Sequence, residues 1–130
     1  MIGSALQKAI FAKLNEATAI AGGRIYDRVP ELAAFPYITI GDEQVLDDGN
    51  TCDDGWEVFS DVHVWSRPST GSKAEVKDLL AAVVTCLNTE LTVTGFTVII
   101  HALENSQVLR DPDGLTEHAV LTFRYVLQPA

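Results

Sequence analysis

Between Trp56 and Arg67 the chain reads as one long strand, and this stretch limits the folds open to the rest of the molecule. Side chains alternate across a strand, so Trp56, Val58, Ser60, Val62, Val64 and Ser66 share one face. Glu57, Phe59, Asp61, His63, Trp65 and Arg67 share the other. The first face is small and apolar, which suits a core. The second mixes charge with large aromatic rings, and such a face is more easily explained if a neighbour covers part of it.

The remaining elements follow from periodicity and turn chemistry. Ser4-Ala5-Leu6-Gln7 fits a capping box, and Leu6, Ile10, Phe11, Leu14, Ala17 and Thr18 recur at helical spacing, predicting a helix from about Ala5 to Ala21 that ends on Gly22-Gly23. Arg24 to Asp27 is a short extended segment, and Glu31 to Phe35 a connection. Pro36 leads into a strand over Tyr37 to Val45, since proline is tolerated where no ladder N–H is required. Asp47 to Gly55 is a loop, so this strand and Trp56 to Arg67 form an antiparallel hairpin with an acidic tip. Ser72-Lys73-Ala74-Glu75 is a second capping box, followed by the cleanest apolar stripe in the chain, Val76, Leu79, Leu80, Val83, Val84 and Leu87. Asn88 to Gly95 is a connection with a few extended residues at Leu91 to Val93.

Phe96 to Leu109 and Thr116 to Leu127 flank Asp111-Pro112-Asp113-Gly114, where proline presets φ and glycine accepts a positive φ, predicting a second long hairpin. Ala119, Leu121, Phe123, Tyr125 and Leu127 form an unbroken apolar face, with His118, Val120, Thr122, Arg124 and Val126 opposite. The order predicts a single α+β domain, two helices packed on one face of a mainly antiparallel sheet with long β-hairpins.

Charge narrows the function. The net charge is −9. No Lys or Arg falls between Arg28 and Arg67, a stretch with nine acids: Glu31, Asp42, Glu43, Asp47, Asp48, Asp53, Asp54, Glu57 and Asp61. The remaining nine acids match the nine bases, so this segment carries the whole imbalance. It should repel a phosphate backbone, which disfavours specific nucleic-acid binding. With 130 residues the chain can bury one real core. It has no run of eighteen apolar residues and no signal-peptide pattern, so a cytoplasmic origin is the expectation. Cys52 and Cys86 lack a CxxC spacing and read as thiols in a reducing compartment.

No catalytic, cofactor or metal site is assigned. His63, His101 and His118 all fall on predicted strands, and convergence near Asp61 or Glu104 would be needed to bind a divalent ion, but none sit at a tight ligand spacing. No serine occupies a strained nucleophile turn. The acidic run departs from the EF-hand pattern and reads as a solvated loop. Gly22-Gly23 follows a helix, where a phosphate cradle would have to precede one. What remains is the exposed edges of two long hairpins, which a neighbouring subunit would cover or which curl over the core.

Phe35-Pro36-Tyr37-Ile38-Thr39-Ile40-Gly41, His63-Val64-Trp65-Ser66-Arg67 with the helix after it, Leu109 to His118 and Leu121-Thr122-Phe123-Arg124 together resemble the small tail-completion, or tail-terminator-like, proteins of long-tailed phages, prophages and gene transfer agents. The resemblance runs from about Leu6 to Val126. It implies a structural particle protein, not an enzyme: a ring, typically of six copies, that ends the tail tube and joins it to the head connector, with DNA passing through unbound and no cofactor. Assembly would occur in the cytoplasm before incorporation into the tail. On that analogy Trp65, Arg67, Arg110, Asp111, Asp113 and Arg124 would be structural or interfacial. Phe59, Asp61 and His63 join them as candidate contacts between subunits, and Asp47, Asp48, Asp53 and Asp54 would face the lumen or an adjoining ring. A head–tail connector or tail-tube component is the alternative. A small metal-dependent enzyme is the third reading.

Overall fold

The strand predicted at Trp56 lies in the middle of the molecule. A computed structural model describes residues 1–16, 20–50 and 52–130. Its elements in chain order are α1 (Ile2–Glu16), a 3-10 segment (Ile20–Gly23), β1 (Ile25–Tyr26), β2 (Tyr37–Asp47), β3 (Trp56–Ser66), α2 (Ala74–Leu87), β4 (Phe96–Arg110) and β5 (Glu117–Pro129). The strands form one five-stranded sheet ordered β1-β2-β3-β5-β4. All neighbours are antiparallel except β1, which runs parallel to β2 through Ile25 and Tyr26.

Both helices cover the same face. Leu6, Ile10 and Leu14 of α1, with Val76, Val83 and Leu87 of α2, are buried together with Val58, Val62 and Val64 of β3 and the Ala119-to-Leu127 series of β5. The apolar alternation of β3 and β5 therefore faces the helices as predicted. Trp56 closes one end of this core, edge-on to Phe96 at 5.4 Å.

Three local expectations change. α1 begins at Ile2, so Ser4 lies inside the helix and caps nothing. The Ile2 side chain is buried, and the Ala5 N–H bonds to the Met1 carbonyl, so burial of an apolar residue extends the helix past the local capping signal. Phe11 is 42 % exposed, because it sits one residue, and so about 100°, around the helix from buried Ile10. The chain has left α1 before Ala21, which adopts φ 47°, and Gly22 and Gly23 share the left-handed conformation. Ala17 and Thr18 of the predicted stripe lie outside the described residues.

The second capping box is only half formed. Ser72 Oγ accepts the Ala74 N–H at 3.1 Å, but the Glu75 carboxylate accepts the Ser66 hydroxyl at 2.5 Å and does not reach back to the cap. Ser66 is fully buried at the end of β3, where an unpartnered hydroxyl would be costly. The exchange ties α2 to the sheet. Strand β3 correspondingly ends at Ser66, one residue before Arg67.

The hairpins form at the predicted places. In the second, the Gly114 N–H bonds to the Asp111 carbonyl, and Gly114 has φ 73°. In the first, Asp47 pairs with Trp56. Its tip is closed by the Asp48 N–H on the Gly55 carbonyl and by Asn50 Oδ1, which accepts the N–H groups of Cys52 and Asp53. Gly41, at φ 115°, sits in the bulge between Thr39 and Asp42, a conformation that a side chain would strain.

Candidate interaction surface

The sheet face away from the helices is covered by no described element. Register builds it: Tyr37 lies opposite Trp65, Thr39 opposite His63, and Trp65 opposite His118. The result is a ladder of rings across β2, β3 and β5. Phe35 and Tyr37 are 5.0 Å apart between centroids, Tyr37 and Trp65 are 6.3 Å apart, and Trp65 lies on His118 at 3.7 Å. Polar bonds fix the rings in place. Trp65 Nε1 donates to Thr39 Oγ1 at 3.1 Å, His63 Nδ1 meets His118 Nε2 at 2.8 Å, and His63 Nε2 meets Asp42 Oδ2 at 3.1 Å. These contacts leave the outward face only half exposed, although no helix lies over it.

The ladder sets the electrostatics here. Burial, and then His63, lowers the His118 pKa, while the Asp111 carboxylate opposes them. Burial raises the Tyr37 phenol, against Arg67 and with Asp111. Farther along β3, Asp61 Oδ1 accepts the Thr122 hydroxyl at 2.7 Å, and Glu57 Oε2 accepts Arg124 Nε at 2.6 Å.

At the Ser66 end of the sheet, charges lock three segments together. The Arg67 guanidinium donates to Thr116 Oγ1 and Asp113 Oδ2 and lies 4.6 Å above the Phe35 ring. Asp113 also accepts the Leu115 and Thr116 N–H groups, and these bonds hold its carboxyl at about 2. Beside it, buried Glu117 takes Lys73 Nζ and Arg110 Nε at 2.6 Å each. These two cations, Lys73 first, lower its pKa. Arg110 also donates to the Gly71 carbonyl.

The structure thus gathers Tyr37, His63, Trp65, Arg67, Asp111 and Asp113 around one end of the open face, with Phe59, Asp61 and Arg124 farther along it. Arg67, Arg110, Asp113 and Arg124 are all engaged within the chain. Asp47, Asp48, Asp53 and Asp54 lie exposed at the opposite end of β3. His101 pairs across from Tyr125 on the helix side, so the three histidines do not converge. No group of three metal-ligating side chains exists among the described residues.

Lys73, Thr116 and Glu117 were not singled out from sequence. A signal for Glu117 was present: it is in phase with Ala119, Leu121 and Phe123, and a carboxylate on a core face requires cationic partners.

The profile of a family described as tail completion protein gp17 matches residues 8–128. The chain belongs to this tail completion protein family. Tail completion protein gp17 of Bacillus phage SPP1 is 30 % identical over 94 residues, covering 72 % of this chain and 68 % of that protein. The solved structure of bacteriophage SPP1 gp17 superposes with a TM-score of 0.61 at 26 % identity, over 95 % of this chain and 89 % of that one. A chain in the virion of a native gene transfer agent particle shares the fold still more fully, with a TM-score of 0.88 over 96 % of both chains at 22 % identity. This tail completion protein is therefore a structural tail protein. No helix among its described residues is long and apolar enough to cross a membrane.

Proposed function

We propose that this chain forms a closed ring, of six copies, that ends the tail tube and joins it to the head connector. One observation besides family membership carries the reading: among the described residues the sheet has one layer of helices, one uncovered face and two free edges, the surfaces that a subunit offers to other subunits. Closed symmetry satisfies such surfaces without growing a filament. Tail-tube protein and connector are the partners above and below, and assembly in the cytoplasm precedes incorporation into the tail.

Within that ring, Phe59, Asp61, His63, Trp65, Arg67, Arg110, Asp111, Asp113 and Arg124 are the contacts or the supports of contacts between subunits. The loop bearing Asp47, Asp48, Asp53 and Asp54 faces the lumen or the adjoining ring. Carboxylates there repel DNA and let it pass without sticking.

Mass measurement and electron microscopy of the purified protein and of intact particles test the reading. One ring of defined copy number at the head-proximal end of the tail supports it. Growth of the purified protein into tubes would make the chain a tail-tube component, and a position within the head portal would make it a connector.

A further inference from the structure

We infer that neighbouring copies join edge to edge, the outer edge of β4 in one copy pairing antiparallel with the free part of β2 in the next, so that the sheets run continuously around the assembly. The inference rests on the ring proposed above and names the surface that closes it.

Both edges are open, and unequally protected. β4 ends the sheet, and on the other side β1 covers only Ile38 and Thr39, so among the described residues the outer edge of β2 has no strand partner from Gly41 to Asp47. Natural edges are blunted with charge, short length or bulges. β4 is long and nearly uncharged, its fifteen residues containing one acid, Glu104, and one base, Arg110, so bulges at Ile99 and Glu104 are what interrupts it, and Ile99, Ile100 and Leu103 are still 51 %, 40 % and 36 % exposed. The β2 edge also exposes two aliphatics, Val45 at 40 % and Leu46 at 39 %.

Strand direction selects the pairing. Since β2, β3, β5 and β4 alternate, the edge strands β2 and β4 run in opposite senses. Rotation about an axis along the strands therefore sets β4 beside the neighbour's β2 with the antiparallel alternation intact, and the same step repeats until the ring closes. Pairing β2 with β2 would oppose Asp42, Glu43 and Asp47 to the same acids. Pairing β4 with β4 would give a two-fold dimer that leaves Val45 and Leu46 in water.

Hydrogen exchange on free monomer and on intact tails reads the junction directly. Amides of β2 from Gly41 to Asp47 and of β4 from Ile99 to Leu109 should slow at least about tenfold on assembly, because new cross-strand bonds must open first. Val45→Asp and Leu103→Asp, made separately, should each lower ring yield by at least about tenfold while monomer unfolding is little changed, as both side chains are exposed. A ring whose β2 and β4 amides exchange as in the monomer overturns the edge pairing and leaves the ring reading intact. Protection of β4 alone, with dimers by mass, replaces it with the two-fold pairing. Absence of any ring in the particle removes the ring reading, and the junction with it.

Discussion

The indole of Trp65 lies flat on the imidazole of His118, with centroids 3.7 Å apart and planes 8° from parallel. The two residues come from strands that meet only because β5 docks directly on β3. The stack also places His118 against His63, which is bonded in turn to Asp42, so a chain of polar bonds links three strands.

That geometry makes stability depend on pH. The folded state holds His118 below its ordinary 6.5, so the fold binds that proton less well than the unfolded chain does. The contribution is complete above about 6.5 and is lost as pH falls through the lowered value. Urea midpoints should therefore drop as pH is lowered from about 7.5 to about 5, and His118→Gln should flatten the drop.

A second acid step comes from Asp113. Its carboxyl is lowered from 3.8 to about 2 by the Thr116 and Leu115 N–H groups, so its contribution is complete above about 4 and is lost between there and about 2. Unfolding followed across that range should be steeper in the native protein than in Asp113→Asn.

Arg67→Glu removes the fork on Thr116 and sets a carboxylate beside Asp113, and it should destabilise the monomer by about 1–3 kcal/mol in chemical denaturation. Arg67→Lys restores the charge without the fork geometry and should recover only part of the loss.

Trp65→Ala tests the open face as a contact. It removes the stack on His118 and the bond to Thr39, so monomer stability falls. If the face also meets a neighbour, ring yield should fall further than the lost stability accounts for. Equal losses in the two measurements would make the ladder purely internal.

Replacing Asp47, Asp48, Asp53 and Asp54 together with Lys should change monomer stability by less than about 1 kcal/mol, since all four are exposed. DNA passage or tail joining should be impaired, read as particle infectivity or as DNA transfer. Full activity of the variant would remove the lumen role.

Much of this fold was legible from local pattern. The core faces of β3 and β5, the stripe of α2, both hairpins and the turn at Gly114 follow from alternation, helical spacing and turn chemistry, which the chain carries within a few residues. The first helix was less legible, because burial of Ile2 overrode the signal at Ser4. The candidate surface was legible only as composition. The odd mixture on β3 marked a special face, but nothing in the sequence says that His63 and His118, 55 residues apart, share a hydrogen bond.

Sequence alone determined which residues face the core, since side-chain direction along a strand or helix is set by backbone period. Tertiary structure decided the order of the strands and everything built on it. Either strand of the second hairpin could have docked on β3. β5 holds that place because its apolar face is unbroken and can be buried, while β4 carries two bulges and no comparable stripe, and stays at the edge. From that one choice follow the Trp65–His118 stack, the Lys73–Glu117–Arg110 lock and the free edge. Each joins residues far apart in the chain, whose meeting depends on register and packing across the sheet, and no local period encodes it.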